Sequence, residues 1–237
     1  RTLLGQGVVA KFDPGAYSDA IAFARIGEGS LGGKARGLAF MNSMLLKHSQ
    51  YAKYENVRVM IPRTVVIATD YFDAFIKNNG LEYVLTTEMT DEEILSEFVS
   101  STLPYKLREA LKVYVRTVGG PLAVRSSSKL EDSHYQPFAG IYSTYMIPYT
   151  EGNEDRQLRL LQKAIKSVYA STYFAASKAY VQSSQNLIAE EKMAVVIQEV
   201  CGTADSGYFF PTISGVARSL NFYPIGDEKP QDGIVNL

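Results

Sequence analysis

Residues 121–145, PLAVRSSSKLEDSHYQPFAGIYSTY, place a short apolar run beside a cluster of polar groups. The run PLAV predicts a β-strand that delivers Arg125 into three consecutive serines, residues 126–128. A glycine turn at Gly140 leads to a second predicted strand, IYSTYMI, which carries Thr144. The arginine fork fits phosphate oxygens, and glycine lets backbone N–H groups approach a ligand closely. The stretch therefore predicts two strands that hold an anion.

Arg125 has a second interpretation in the same stretch. It can be a structural arginine that pairs with Glu131 or Asp132 a few residues later. The serines at 126–128 favour the phosphate interpretation, since their hydroxyls can donate to oxygens, although they can equally satisfy the turn. Both roles of the serines stay open on sequence grounds.

The composition limits the classes of function. The 237 residues, 46% of them apolar, suffice for one large domain or two lobes. With 24 basic and 25 acidic residues the net charge is -1, so we expect no nucleic-acid or membrane partner, and any anion site must be local. Cys201 is the sole cysteine and is predicted to be a small packed residue, while His48 and His134 are predicted to be surface or loop histidines.

The ends of the chain and its hydropathy suggest a cellular location. No apolar run reaches the roughly 18 to 20 residues that span a bilayer. The sequence starts at Arg1 without a signal peptide and closes on the strand-like run GIVNL. We interpret it as a segment of a longer cytoplasmic protein.

A second glycine-rich stretch, IGEGSLGGKARGLAFM, precedes a helical pattern. The helix is predicted to begin near Lys34, and its apolar face contains Leu38, Met41, Leu45 and Leu46. Lys34 would then lie in the first turn, where the helix dipole favours anions. The alternative is a solvated lysine in a flexible loop.

The same glycines satisfy G-x-G-x-x-G, the pattern of dinucleotide-binding loops. That interpretation needs a strand before the loop and an acidic residue about 20 positions later. AIAFAR is not convincingly a strand, and the acidic partner is not obvious. A P-loop is excluded because Glu28 replaces its first glycine and Ala35 replaces its Ser or Thr.

The remaining segments alternate irregularly between helical and strand patterns. VRVMI and TVVIAT are predicted strands on either side of Pro62, and Asp70 is predicted to be the N-cap of the next helix. TDEEILSEFVSSTL and YKLREALKVYVRT are predicted helices, and residues 154–184 form one long or broken helix. MAVVIQEV is a core strand or the hinge of an adenine pocket, GTADSGYFFPTIS a loop, and SGVARSLNFYP a strand. The pattern predicts α+β (α/β) with more than one lobe.

Taken in order, these segments resemble the family of pyruvate phosphate dikinase and phosphoenolpyruvate synthase. GGKARGLAFM is similar to the family's GGKGANL-type motif. AVRSSSKLED…FAGIYSTY is similar to VRSSATAED…FAGQ…T, with the same spacing from arginine to glycine to threonine. MAVVIQEV and SGVA are similar to the family's adenine-hinge strand and the strand after it. The resemblance covers about residues 27–237.

The resemblance implies an ATP-grasp-like nucleotide-binding domain. Residues 1–26 would be a lead-in, 27–192 the first lobe, and 193–237 the beginning of a second, incomplete lobe. In such enzymes ATP phosphorylates a histidine on a separate domain, and a barrel domain passes the phosphoryl group to pyruvate; relatives phosphorylate an antibiotic. ATP, Mg²⁺, and the phosphohistidine and pyruvate-binding domains of the same full-length chain are the implied partners. The alternative is a non-catalytic module that binds a nucleotide or a partner for regulation, and this segment alone is expected to be inactive.

Four residues would act on the ATP phosphates if the family's roles carry over. Lys34 and Arg125 would be catalytic, with Lys34 contacting the phosphates and Arg125 clamping them and offsetting charge during transfer. Gly140 would lie in the loop that covers the phosphates, and Thr144 would donate a hydroxyl nearby.

The resemblance also implies an adenine site and a metal ligand. Gln198 with the Glu199–Val200 backbone would hold adenine, and Asp232 would stand where the family commonly has a metal-binding Glu. The chain departs from the family after SGVA, where residues 218–221 read RSLN instead of a Phe-Thr pair leading to Asp-Pro. The family's next Gln and Arg would fall beyond Leu237.

Overall fold

A computed structural model describes residues 9–47, 56–128, 142–149, 151–183 and 192–237, which form a mixed α/β architecture. The strands are β1 (Ala10–Lys11), β2 (Phe23–Ile26), β3 (Thr64–Ile67), β4 (Leu122–Ser127), β5 (Tyr145–Ile147), β6 (Ala194–Glu199), β7 (Thr203–Asp205), β8 (Tyr208–Phe210), β9 (Val216–Arg218) and β10 (Ile234–Asn236). The helices are α1 (Gly32–Lys47), α2 (Thr69–Asn79), α3 (Asp91–Ser100), α4 (Tyr105–Thr117), α5 (Glu154–Ser171) and α6 (Ala175–Ser183). Short 3₁₀ turns cover Leu81–Leu85 and Pro230–Asp232.

The chain divides into two compact units, Arg1–Val200 and Cys201–Leu237. The predicted boundary between residues 192 and 193 falls before β6, whereas the break between the units comes after it. β6 pairs on both sides with strands of the first unit.

The first unit is built on a six-stranded mixed sheet with the order β1-β2-β3-β6-β4-β5. β1, β2 and β3 are parallel, while β6 runs antiparallel to both β3 and β4, and β5 runs antiparallel to β4. Helix α1 connects the parallel neighbours β2 and β3, as parallel strands require a crossover. The register sets Arg125 opposite Val196 and Ser127 opposite Ala194.

The two faces of this sheet carry different helices. Val65 and Ile67 of β3 belong to the large core that includes side chains of α2 to α5. Val66 between them packs instead with Ala35 and Leu38 of α1. Alternate residues of a strand point to opposite faces, so α1 covers the face that Val66 presents.

Most of the helices predicted from periodicity are confirmed. Thr90 and Glu93 form a capping box at the start of α3, and Gly80 ends α2 in a left-handed conformation with φ 63°. The helix predicted over residues 154–184 is broken into α5 and α6. Its apolar stripe is buried, with Leu161, Ile165 and Val168 fully enclosed and Leu158 partly buried.

Several predictions for the first unit are wrong. VRVMI is not a strand, and its Val57, Val59 and Met60 are exposed. FARI is strand β2, although its sequence was not convincing as one. Asp70 is not an N-cap, because α2 begins at Thr69 and Ala68 occupies the cap position. The apolar face of α1 is largely open: Met41 and Leu46 are 47% and 44% exposed.

The second unit contains two small antiparallel pairs. β7 and β8 form a hairpin whose two-residue turn has positive φ at both Ser206 (50°) and Gly207 (83°), as a type I′ turn requires. The prediction of a loop there was wrong, and the Ser-Gly pair between short strands was the overlooked signal. β9 pairs with β10, which confirms the strand predicted in GIVNL. Cys201 is exposed, so the prediction that it packs in a core is wrong.

None of the helices that the structure describes has both the length and the apolar composition that crossing a membrane requires.

Candidate nucleotide-binding site

The first turn of α1 docks on the end of β4 through the serine run. The Ser127 hydroxyl donates to the Leu31 carbonyl at 2.8 Å and accepts the Ala35 N–H at 3.1 Å. The Gly33 N–H donates to the Ser128 carbonyl at 3.0 Å. Ser127 is fully buried, so its hydroxyl satisfies the helix start and is not presented to a ligand.

Gly32 makes this close docking possible. Its φ is +71°, a conformation that side chains rarely adopt. A Cβ at this position would lie 1.9 Å from the Ser127 carbonyl oxygen. The contact fixes the first turn of α1 against β4, and Lys34 lies in that turn.

Lys34 and Arg125 are brought together at one cavity of about 240 Å³. The Lys34 ammonium donates to the Ser126 hydroxyl at 3.3 Å, while Arg125 is exposed. The lining residues share one face of the sheet and α1, and they are Lys34, Gly37, Leu38, Met41, Arg125 and Val196. Two cations beside an apolar wall suit a ligand that has an anionic part and a flat apolar part.

Backbone donors at the start of α1 are engaged inside the protein. The N–H groups of Gly33 and Ala35 bind Ser128 and Ser127, and the Gly32 N–H donates to the Ser30 hydroxyl at 3.3 Å. An anion in the cavity would therefore rely on the cationic side chains and on the helix dipole rather than on these three amides.

The glycine loop that follows β2 binds an internal carboxylate. The Glu28 N–H donates to Asp70 Oδ2 at 3.1 Å, and the Gly29 N–H donates to Asp70 Oδ1 at 3.0 Å. A strand does precede the loop, as a dinucleotide site needs, but these two amides are occupied by Asp70. The structure therefore does not support the dinucleotide interpretation.

Sequence reasoning missed the contribution of Thr69 and Asp70. Thr69 Oγ1 accepts the Ser30 N–H at 3.0 Å, next to the contacts of Asp70. The signal that could have found the pair is positional: β2 and β3 are parallel, so their carboxyl ends meet at one edge of the sheet. Polar residues directly after TVVIA therefore lie beside the loop directly after FARI.

Thr144 lies close to the level of Arg125 in the sheet. It immediately precedes β5, and the β4–β5 register pairs Val124 with Tyr145, so continuing the register sets Thr144 opposite Arg125. Thr144 is exposed. Some predicted residues lie outside the described residues: His48, Glu131, Asp132, His134 and Gly140.

The predicted adenine contacts have partners within the first unit. Gln198 is 8% exposed, and its side-chain amide donates to Thr64 Oγ1 at 3.1 Å. The Val200 N–H donates to the Pro121 carbonyl at 2.9 Å. A purine would have to compete with these partners for the donors of Gln198 and Val200.

Glu199 forms an ion pair at the end of β6. Its carboxylate lies 2.9 Å from Arg63 Nε, and its N–H donates to the Arg63 carbonyl at 3.0 Å. Burial raises the pKa of Glu199, and the charge of Arg63 opposes that shift. Both backbone and side chain of Glu199 are thus engaged in holding β6 to the segment before β3.

Asp232 lies in the second unit, in the short 3₁₀ turn at Pro230–Asp232. Its carboxylate accepts the Lys229 N–H at 2.8 Å. Among the described residues there is no group of three or more His, Cys, Asp or Glu that could hold a metal ion. Mg²⁺ characteristically uses one or two carboxylates together with substrate phosphates, so a single carboxylate fits a metal carried on a nucleotide.

Comparison with known proteins gives two kinds of match. Residues 28–236 match the family model described as pyruvate phosphate dikinase, AMP/ATP-binding domain. The chain is 31% identical over 157 residues to the uncharacterized phosphotransferase YvkC of Bacillus subtilis and 27% identical over 202 residues to the phosphoenolpyruvate synthase of Aeropyrum pernix. These alignments cover 63% and 76% of this chain but 17% and 22% of the relatives, so the chain spans about a fifth of their length.

Proposed function

This chain belongs to the family of pyruvate phosphate dikinase AMP/ATP-binding domains, as its motifs indicated, and from this premise we propose that the cavity between α1 and β4 binds ATP. The observation that carries the proposal is the meeting of Lys34 and Arg125 at one cavity, although they come from distant segments of the chain.

The two cations act on the phosphates. Lys34 contacts the phosphate oxygens from α1, and Arg125 clamps them from β4 with its rigid fork. Phosphoryl transfer takes little covalent help from a protein and depends on alignment and charge neutralisation, which is the role we assign to both residues. Thr144 donates its hydroxyl nearby, and we assign to Gly140 the phosphate-binding role that the family resemblance implies.

The base lies against the apolar wall of the same cavity. Leu38, Met41 and Val196 provide that wall. Gln198 is two residues beyond Val196 on β6 and therefore on the same face of the sheet. We assign the purine edge to Gln198 and the Glu199–Val200 backbone, where it would replace the internal partners of their donors, Thr64, Arg63 and Pro121.

In the full-length protein the domain is ATP-grasp-like and serves a phosphotransferase of the phosphoenolpyruvate synthase type. ATP gives its phosphoryl group to a histidine on a separate domain, and pyruvate receives it on another. Mg²⁺ would offset phosphate charge and would be carried on the nucleotide. Asp232, in the second unit, keeps the metal-ligand role that the family resemblance implies. The name of the Aeropyrum pernix relative supports this choice of reaction.

Calorimetry with Mg-ATP tests the cavity. Arg125→Ala and Lys34→Met are each expected to weaken binding roughly tenfold to a hundredfold, because each removes a charge-assisted hydrogen bond. Arg116→Ala and Lys77→Met, which change the same residue types on α4 and α2, should leave the affinity unaltered. Absence of binding, or equal binding by Arg125→Ala, would overturn the proposal.

A non-catalytic nucleotide-binding module is the second candidate. It is favoured by residues 218–221, RSLN, which depart from the family pattern at the end of β9. Labelled ATP separates the two candidates in the full-length protein: transfer of label to a histidine supports the enzyme, and binding without transfer supports the regulatory module.

A further inference from the structure

We propose that Asp70 is a positioning residue: its carboxylate occupies the anion position of the glycine loop at residues 27–30 and thereby orients Lys34. The inference rests on the proposed function, since it concerns how Lys34 is presented to the ATP phosphates. It also explains the glycines of the G-x-G pattern: they make room for an internal carboxylate and not for a nucleotide.

Asp70 meets the loop in the manner of a bound anion. Its two carboxylate oxygens each accept one of two successive amides, Glu28 N–H at 3.1 Å and Gly29 N–H at 3.0 Å. The next amide, from Ser30, goes to Thr69 Oγ1, and the Thr69 N–H returns a bond to the Ser30 carbonyl at 3.0 Å. Successive backbone N–H groups that converge in this way form an anion-binding concavity.

The two glycines of the loop are explained by the approach of Asp70. A Cβ at Gly27 would lie 2.4 Å from Asp70 Oδ1, and Gly27 has φ +99°. A Cβ at Gly29 would lie 2.6 Å from the Asp70 nitrogen and 2.7 Å from Thr69 Oγ1. Side chains at either position would push the start of α2 away, so the glycines permit this contact.

The charges around the loop are divided between two carboxylates. Glu28 takes the cations at the edge of the sheet, with Lys11 at 2.6 Å and Arg25 at 2.6 Å from its oxygens. Asp70 takes the loop amides and lies in the first turn of α2, where the helix dipole favours a negative charge. Glu28 thus binds the neighbouring cations, and Asp70 binds the backbone amides of the loop.

The loop transmits the position of Asp70 to Lys34. It is anchored on one side by Thr69 and Asp70 and on the other by Ser127, which binds both Leu31 and Ala35. Lys34 lies between these last two contacts in the first turn of α1. Releasing the Asp70 side removes one of these two anchors and leaves the first turn of α1 held by its contacts with β4 alone.

Backbone NMR of the chain with Asp70→Asn tests the contact without nucleotide. Asparagine presents an NH₂ group to one of the two amides, which removes one hydrogen-bond acceptor. The amide proton signals of Glu28 and Gly29 should therefore move upfield, and these protons should exchange with solvent at least tenfold faster. The Lys34 signals should shift as well. Asp73→Asn is the matched control on α2, where Asp73 pairs with Lys192 at 2.5 Å, and it should leave all three sets of signals in place.

Nucleotide affinity and chemical rescue separate positioning from plain stability. Asp70→Asn should raise the Kd for ATP about tenfold and leave that for adenosine unchanged, because adenosine has no phosphate for Lys34. In Asp70→Gly, added formate should restore the loop signals and the ATP affinity, whereas added chloride should not.

Each outcome decides the matter. Unchanged Glu28 and Gly29 signals, or loop changes that leave Lys34 unmoved, overturn the inference. Equal losses for ATP and adenosine show a merely structural role and overturn it too. If the unaltered chain binds no ATP, the proposed function fails separately, and the Lys34 signals and the formate rescue still decide whether Asp70 positions Lys34.

Discussion

Gly32 joins α1 to β4 through a contact that no other residue permits. Gly32→Ala places a Cβ 1.9 Å from the Ser127 carbonyl and forces a left-handed conformation on a side chain. We expect the free energy of unfolding to fall by on the order of 3 kcal/mol, measured by urea denaturation.

Gly37 supplies the matched control for Gly32. It lies in the interior of the same helix, and a Cβ there would meet nothing within 4 Å. Gly37→Ala should raise stability by roughly 0.5 to 1 kcal/mol, the propensity difference in a helix. A similar loss for both variants would contradict the assigned role of Gly32.

At the scale of residues, the family resemblance selected Lys34 and Arg125, which line one cavity in the structure, but it did not predict the contacts of their neighbours. The motifs carry the two cations, so the family resemblance sufficed to select them. The tasks of Ser127 and Asp70 depend on which elements pack against the glycine loop. That packing is part of the tertiary structure and cannot be inferred from local sequence. A serine or an aspartate has the same letter in the sequence whether its side chain faces a ligand or a neighbouring backbone amide.

Among the elements, α5 supports the end of α3 through one lysine. The Lys166 ammonium donates to the carbonyls of Val99 and Ser101, the latter at 3.1 Å, and burial lowers the pKa of Lys166. Lys166→Met leaves these carbonyls without that donor and should reduce the free energy of unfolding by about 1 to 3 kcal/mol. Lys163→Met, on the exposed face of the same helix, should change it little in the same urea titration.

Helices with a clear 3.6-residue spacing of apolar side chains were predictable. Strands that are defined by the neighbouring strands they pair with were not. The helices α3 and α5 can be recognised in the sequence by their capping residues and by the helical spacing of their apolar residues. VRVMI has the composition of a strand, yet both edges of the following strand, β3, are taken by β2 and β6. β2 has only four residues, and its identity comes from its pairing with β1 and β3.

For the whole first unit, buried tyrosines predict a loss of stability in alkali. Burial raises the pKa of Tyr17 to about 12, and it also raises the pKa values of Tyr114, Tyr169 and Tyr173. The unfolded chain releases these protons near pH 10, so the stabilisation is complete below pH 10 and is lost as pH rises through the folded values. Each tyrosine should steepen the decline by up to about 1.4 kcal/mol per pH unit.

Urea titrations between pH 8 and pH 11.5 measure this decline. Tyr17→Phe should make the fall of the unfolding free energy with pH shallower by the contribution of one tyrosine. Tyr105→Phe, at a position that is 67% exposed, should leave the slope as it is. If Tyr17→Phe leaves the slope of unfolding free energy against pH unchanged, the raised pKa assigned to Tyr17 is wrong.

At the scale of the molecule, the order of motifs predicted a nucleotide-binding architecture but not the sheet that assembles it. The predicted lobe boundary separates β6 from β3 and β4, whereas the sheet places β6 between them. Pairing between segments so far apart leaves no local trace in a sequence. The mixed α/β class could be inferred from alternation alone, and the strand order could not.

The central place of β6 also bears on how this chain is made. β3 and β4 precede β6 in the sequence, so the strand that joins them is the last strand of the first unit to emerge from the ribosome. Until then both strands expose an unpaired edge, which invites pairing with other chains. The long sequence separation of the closing contacts also makes folding slow. Until β6 emerges, the nascent chain therefore carries two strand edges that only β6 covers.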